Sequence, residues 1–208
     1  MITKLADRIT NELYSHNIIN EEGKELYSYG FYVLLSYCFC FLEAILFGML
    51  SEVLWESILL YCFFSSLRRY AGGIHARKEI TCTFCTTFAM LFSTIGIRLM
   101  EAVWGYTIQA ACIMFGTLAI LLLSPLDSAE KPLDVEECQH YRNISYILIG
   151  VIDTVAMLAY CTGVNGVFAA AAVSVLLEGV LLVAGKIKGM GTSDKESRAN
   201  QQFDINSL

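Results

Sequence analysis

Charge is scarce in this sequence. Only 16% of the 208 residues are Asp, Glu, Lys or Arg, while 56% are hydrophobic, and mean hydropathy is +0.55. A soluble domain of this length averages about 25% charged and about 45–50% apolar, so the composition excludes an ordinary water-soluble fold. An internal repeat is also missing, which weighs against a transporter assembled from inverted repeats. A cleavable signal peptide is excluded because the first apolar block begins only near residue 30, after a polar segment.

What the sequence has instead is long apolar blocks. Phe31 to Leu50, "FYVLLSYCFCFLEAILFGML", contains one charge and is about as long as a helix crossing a roughly 30 Å hydrocarbon core must be. Five further blocks follow, giving expected spans near 30–50, 53–67, 80–98, 102–123, 144–162 and 166–185. The expected fold is therefore an all-α polytopic membrane protein of about six transmembrane helices. The second block is short, reaching only about 22 Å as a helix, so the segment after it can dip into the membrane where protein shields it.

Residues 1–29 form an N-terminal amphipathic segment. Ile2, Leu5, Ile9 and Leu13 recur at helical spacing, with Lys4, Asp7, Arg8, Asn11 and Glu12 on the other face. Such a helix lies in the membrane interface or packs on the protein, and the pattern alone does not separate the two. Asn20 can cap a second helix that runs into the first span. Residues 30–188 make up the transmembrane domain, and the polar tail 189–208 is expected to be disordered.

Every one of the 14 basic residues except Arg98 falls on one side of these spans. The positive-inside rule makes that side cytoplasmic and places both termini there. Of the eight cysteines, Cys38, Cys40, Cys62, Cys112 and Cys161 lie inside apolar blocks, where cysteine behaves as a small hydrophobic residue. No structural disulfide is expected.

The stretch "RRYAGGIHARKEITCTFC", Arg68 to Cys85, concentrates the chemistry. In one straight helix His75 and Cys82 would be about 10 Å apart, too far for the roughly 2.6–3.2 Å contact between a nucleophile and its base. Gly72 and Gly73 supply backbone freedom just before the histidine. With that bend, His75 folds back over a helix starting near residue 79, and Cys82 sits in its first turns. There the helix dipole, Arg77 and Lys78 favour a thiolate. Other readings stay open on the residues alone. A zinc site could use His75, Cys82, Cys85 and either Cys138 or His140, although the spacing is irregular. Cys82 and Cys85 could form a redox dithiol, although the βαβ context is missing. A solvated basic loop with a packing cysteine, recruiting a partner without catalysis, is a further reading. Glu43, Glu56, Asp153 and Glu178, within or near spans, support an alternative of another kind, a small transporter or channel.

The segment "RRYAGGIHARKEITC" resembles the signature of the accessory gene regulator B family, bacterial membrane endopeptidases that process quorum-sensing peptide precursors. The family's arginine, Gly-Gly pair, histidine and cysteine fall at Arg68, Gly72, Gly73, His75 and Cys82, with Arg69 an equal match for the arginine. A second patch, "SPLDSAEKPLDVEE" (124–137), resembles the family's Pro-containing cytoplasmic loop. The resemblance implies that Cys82 is the catalytic nucleophile and His75 its base. Arg68, Arg69, Gly72 and Gly73 would bind substrate or support the pair, and Cys85 has no role. It implies no metal and no cofactor. The expected partner is an AgrD-like precursor peptide with an amphipathic leader, a middle that becomes a thiolactone or lactone ring, and an acidic C-terminal tail. The expected setting is the bacterial cell membrane, with a cytoplasmic active site and a homodimer in the lipid bilayer; no nucleic acid is involved. Arg68, Arg69, Arg77 and Lys78 would attract the acidic tail, although Arg77 and Lys78 serve equally well as topology signals.

Overall fold

The computed structural model describes the backbone of residues 2–72, 79–103, 105–126 and 135–206, and the side chains of these residues outside 79–82, 135 and 189–206. Seven α-helices follow in order: α1 (Ile2–Ser15), α2 (Lys24–Leu50), α3 (Leu54–Ala71), α4 (Glu79–Ala102), α5 (Tyr106–Leu123), α6 (Val135–Thr162) and α7 (Asn165–Asn206). A single 3-10 turn, Glu21–Gly23, joins α1 to α2, with Asn20 at its N-terminal boundary. Among the described residues there is no named strand, only one isolated bridge between Gly72 and Leu126. The protein is an all-α polytopic membrane protein.

Among the described residues, five stretches are long and apolar enough to cross a membrane: Glu21–Leu50, Thr83–Ala102, Tyr106–Leu123, Glu136–Thr162 and Asn165–Lys188. The second expected span, near 53–67, becomes α3, which runs on to Ala71 rather than ending near 67 and reaches about 27 Å. Glu56, Arg68 and Arg69 lower its hydropathy. Its Ser57, Leu60, Leu67 and Ala71 are buried against the other helices, so protein rather than lipid surrounds much of it. Large apolar side chains such as Leu42, Phe88, Phe92, Met114, Leu122 and Ile147 are exposed, as a lipid-facing surface requires.

The core is organised around α7, which packs against α3, α4, α5 and α6. Ala169, Ala170, Ala171, Ala172, Ser174 and Val175 are all buried along it. Lipid tails are as apolar as leucine, so membrane helices gain little from hydrophobicity by associating and rely on close backbone packing. The tightest point is between α5 and α7. A Cβ on Gly116 would collide with the carbonyl oxygen of Val175, and one on Gly179 would come within 2.8 Å of the Gly116 Cα. Helix α2 meets α3 in the same manner, with Gly48 facing Ser57 and the Ser57 hydroxyl donating to the Ala44 carbonyl at 2.7 Å.

The two chain ends are both helical among the described residues. α1 lies against α2, where the Ser28 hydroxyl donates to Asp7 at 2.6 Å and the Lys24 ammonium stands 5.0 Å over the Tyr14 ring. Its most buried residues are Ala6 and Thr10, not the larger apolar set, and Leu5 is left exposed. Small side chains permit the close approach, and the residual apolar edge remains available to lipid headgroups. At the other end α7 continues as helix to Asn206. Lys, Glu, Ala and Gln there are good helix formers, and no proline interrupts them.

Gly116→Val should destabilise the protein by about 1–3 kcal/mol through overpacking. Gly150→Val, where a Cβ meets nothing within 4 Å, should change stability by less than about 0.5 kcal/mol. Thermal unfolding of both variants in detergent checks the contrast; equal midpoints would mean that α5 and α7 are not in close contact.

Candidate functional site

The helix ends sort into two groups. Glu56 of α3 and Glu101 of α4 converge over Gly166 at the start of α7. Nearby, the buried Gln109 donates to the Met100 carbonyl at 2.9 Å and to Asn165 Oδ1 at 3.1 Å. At the opposite end, the C terminus of α3 meets the segment leaving α5. The Leu126 amide donates to the Ala71 carbonyl at 2.9 Å, and Gly72 and Leu126 form the isolated bridge. The two stretches that carry the family resemblance are therefore in direct contact.

Gly72 is what permits that contact. Its φ is +82° and its ψ is −148°, a conformation essentially confined to glycine. A Cβ there would come within 2.6 Å of the Leu126 carbonyl oxygen. Arg68 closes the turn from the other side, its Nη1 donating to the Gly72 carbonyl at 2.8 Å. A guanidinium is well placed at this point, because the last carbonyls of a helix carry partial negative charge. The same Nη1 lies 3.9 Å from Glu178 Oε1 on α7. Arg69 points elsewhere; it is exposed, with its guanidinium 5.6 Å from the Tyr70 ring, and Tyr70 packs edge-on against Tyr141 of α6.

Helix α4 begins at Glu79, so Cys82 is the fourth residue of its first turn. Gly73 and His75, the loop 73–78, the side chain of Cys82 and the Lys131–Pro132 pair lie outside the described residues. Of the expected site residues, Arg68 and Gly72 are brought together and Arg69 is not part of their contact. Among the described residues, no group of three His, Cys, Asp or Glu could hold a metal ion. Cys85 is exposed on α4, and the seven described cysteines are free.

The intramembrane acids occupy separate contacts. The Thr87 hydroxyl donates to Glu43, and the Thr117 hydroxyl donates to Asp153 at 3.1 Å. Glu56 sits with Glu101 at the far end, and Glu178 faces Arg68. Glu178 is the residue that sequence reasoning separated from the site. The available signal was an acid in the last span and an arginine near the end of another, each of which needs a partner in the membrane.

The profile of the accessory gene regulator B family matches residues 4–182. The chain belongs to the accessory gene regulator B family. A protein of Halalkalibacterium halodurans named "Putative AgrB-like protein" is 27% identical over 186 residues, spanning 88% of this chain and 87% of its own. A protein of Clostridium perfringens strain SM101 with the same name is 25% identical over 144 residues, 66% of each chain. No solved structure matches. In this accessory gene regulator B protein, Arg68 and Gly72 thus form one built end of the segment that carries the family signature.

Gly72→Ala should strain the turn by about 1–3 kcal/mol and displace the Leu126 carbonyl. Hydrogen exchange of the Leu126 amide should then accelerate about tenfold or more. An unchanged exchange rate would show that the turn accepts a side chain.

Proposed function

We propose that this protein is a membrane-embedded cysteine endopeptidase that removes the C-terminal tail of a quorum-sensing peptide precursor and promotes closure of the remaining peptide into a thiolactone or lactone. The observation that carries this reading is the Gly72 turn. It ends α3 in a glycine-only conformation, held by Arg68 and Leu126. Only residues 73–78 separate it from α4, whose first turn holds Cys82. That short connection contains His75, and a thiol at a helix N terminus is the kind of group held as a thiolate.

The chemistry follows from these roles. The Cys82 thiolate attacks the carbonyl carbon of the peptide bond preceding the tail, forming a C–S bond. The C–N bond then breaks, and the leaving amine takes a proton from the His75 imidazolium. The tail departs, and the rest of the precursor remains as a thioester on Cys82. An internal thiol or hydroxyl of the peptide gives its proton to His75, attacks the thioester carbonyl and expels the Cys82 thiolate, closing the ring. With a thiol the exchange is nearly isoenergetic, so it needs no external energy source provided water is excluded.

The substrate in this reading is an AgrD-like peptide whose amphipathic leader lies in the cytoplasmic membrane surface. Confinement there raises its local concentration at the site. Arg69, exposed beside the turn, is the described cation best placed to attract the acidic tail. Two copies of the chain would form a homodimer through their lipid-facing helices. The transporter alternative gains no support from the acids, which are distributed over separate helix contacts instead of one path.

Co-expression with the precursor tests the activity through release of the tail. Cys82→Ala should abolish release without lowering membrane insertion, while Cys85→Ala should process normally. Normal processing by Cys82→Ala would eliminate the cysteine peptidase. Loss of activity in Cys85→Ala would restore the dithiol or metal reading.

His75→Ala should slow alkylation of Cys82 near neutral pH. The midpoint of the rate profile should move up towards the ordinary thiol value of about 8.5. An unchanged profile would show that His75 does not activate the thiol.

A further inference from the structure

We propose that Glu178 is a positioning residue of this site, acting through Arg68 to fix the Gly72 carbonyl at the end of α3, next in sequence to the segment that carries His75. The inference rests on the reading of Cys82 as the nucleophile. Glu178 is 0% exposed on α7, and neither of its carboxylate oxygens has a hydrogen bond among the described residues. Its recorded partner is Arg68 Nη1 at 3.9 Å. A buried acid held this way does little for folding, since an apolar residue of similar size commonly packs as well or better. Its charge therefore calls for another account.

The position of Arg68 supplies one. Three residues before the end of α3, a long cationic side chain can swing its head outward to water or lipid headgroups. Glu178 draws the guanidinium inward, to where the same Nη1 meets the Gly72 carbonyl at 2.8 Å. The Leu126 amide fixes the preceding carbonyl, that of Ala71. The final peptide units of α3 are thus held by two contacts, and one of them is tied to α7 through Glu178. Glu43 and Asp153 bond to threonine hydroxyls away from this turn, so the role is particular to Glu178.

The test uses the full chain in membranes with a tagged precursor, separating kcat from KM. Glu178→Gln keeps the size of the side chain but weakens its hold on Arg68. It should lower kcat about 10–100-fold, the scale of a small misplacement of a reacting group, with KM within about twofold. Asp153→Asn, another membrane acid, should process like wild type. The double variant Arg68→Met, Glu178→Leu leaves no orphan charge and should insert normally while showing the same loss in kcat. This keeps the idea testable if Glu178→Gln inserts poorly. Wild-type kcat in either variant, while Cys82→Ala is inactive, overturns the inference and leaves the peptidase reading intact. A raised KM with unchanged kcat also overturns it, because Arg68 would then be reading the tail. Normal processing by Cys82→Ala would instead overturn the peptidase reading itself.

Discussion

The approach of four helices to one face-poor helix, α7, is the constraint on which the rest of this structure depends. Its buried alanines and Gly179 let neighbouring backbones come close on several sides. In a solvent that offers no hydrophobic drive for association, such contact is a principal source of cohesion. Larger residues along α7 would push α3 and α5 outward, and the distances that define the site would grow with them. The carbonyl of Val175 against Gly116 and the carboxylate of Glu178 near Arg68 are consequences of the same closeness, a few residues apart on one helix.

That packing explains how a chain with few polar residues can hold a polar turn. Arg68 alone at the end of an apolar helix would carry a cost of about 2.5–3.5 kcal/mol if forced to the membrane centre. Here it is part-exposed, near the C-terminal end of α3, with a carboxylate and a carbonyl both near its guanidinium. Neither partner is its neighbour along the helix face in the usual i, i+4 sense of two side chains. The turn is built from backbone, one cation and one distant anion, and glycine supplies the conformation that no other residue holds cheaply.

Much of this was legible in the sequence, and the exceptions have physical causes. The apolar blocks announced the helices because membrane helices must satisfy their own backbone bonds over a fixed thickness. The start of α4 at Glu79 was readable from the Gly-Gly pair and the apolar run beyond it. The far end of α3 was not, since Arg68, Arg69 and Tyr70 look like the flank of a span and are in fact its last helical turn. The buried face of α1 was not readable, because periodicity marks large apolar residues while close contact selects Ala6 and Thr10. The partnership of Arg68 with Glu178 was hidden because each had a sufficient local explanation: a positive-inside signal for one and an intramembrane acid for the other. Only their proximity in space relates them.

The separation of those two residues along the chain bears on how the protein is made. Arg68 emerges from the ribosome with α3, its turn gains Leu126 only after α5, and Glu178 arrives with α7. At synthesis rates of about 5–20 residues per second, the arginine waits roughly 5–20 s for its carboxylate. During that interval the nascent chain already contains His75 and Cys82, but the turn that precedes them lacks the hold that originates on α7. The turn that precedes Cys82 in the sequence thus stays incomplete until α7 is made. Biosynthetic order itself delays its completion, and fragments that stop short of α7 are left without the completed turn.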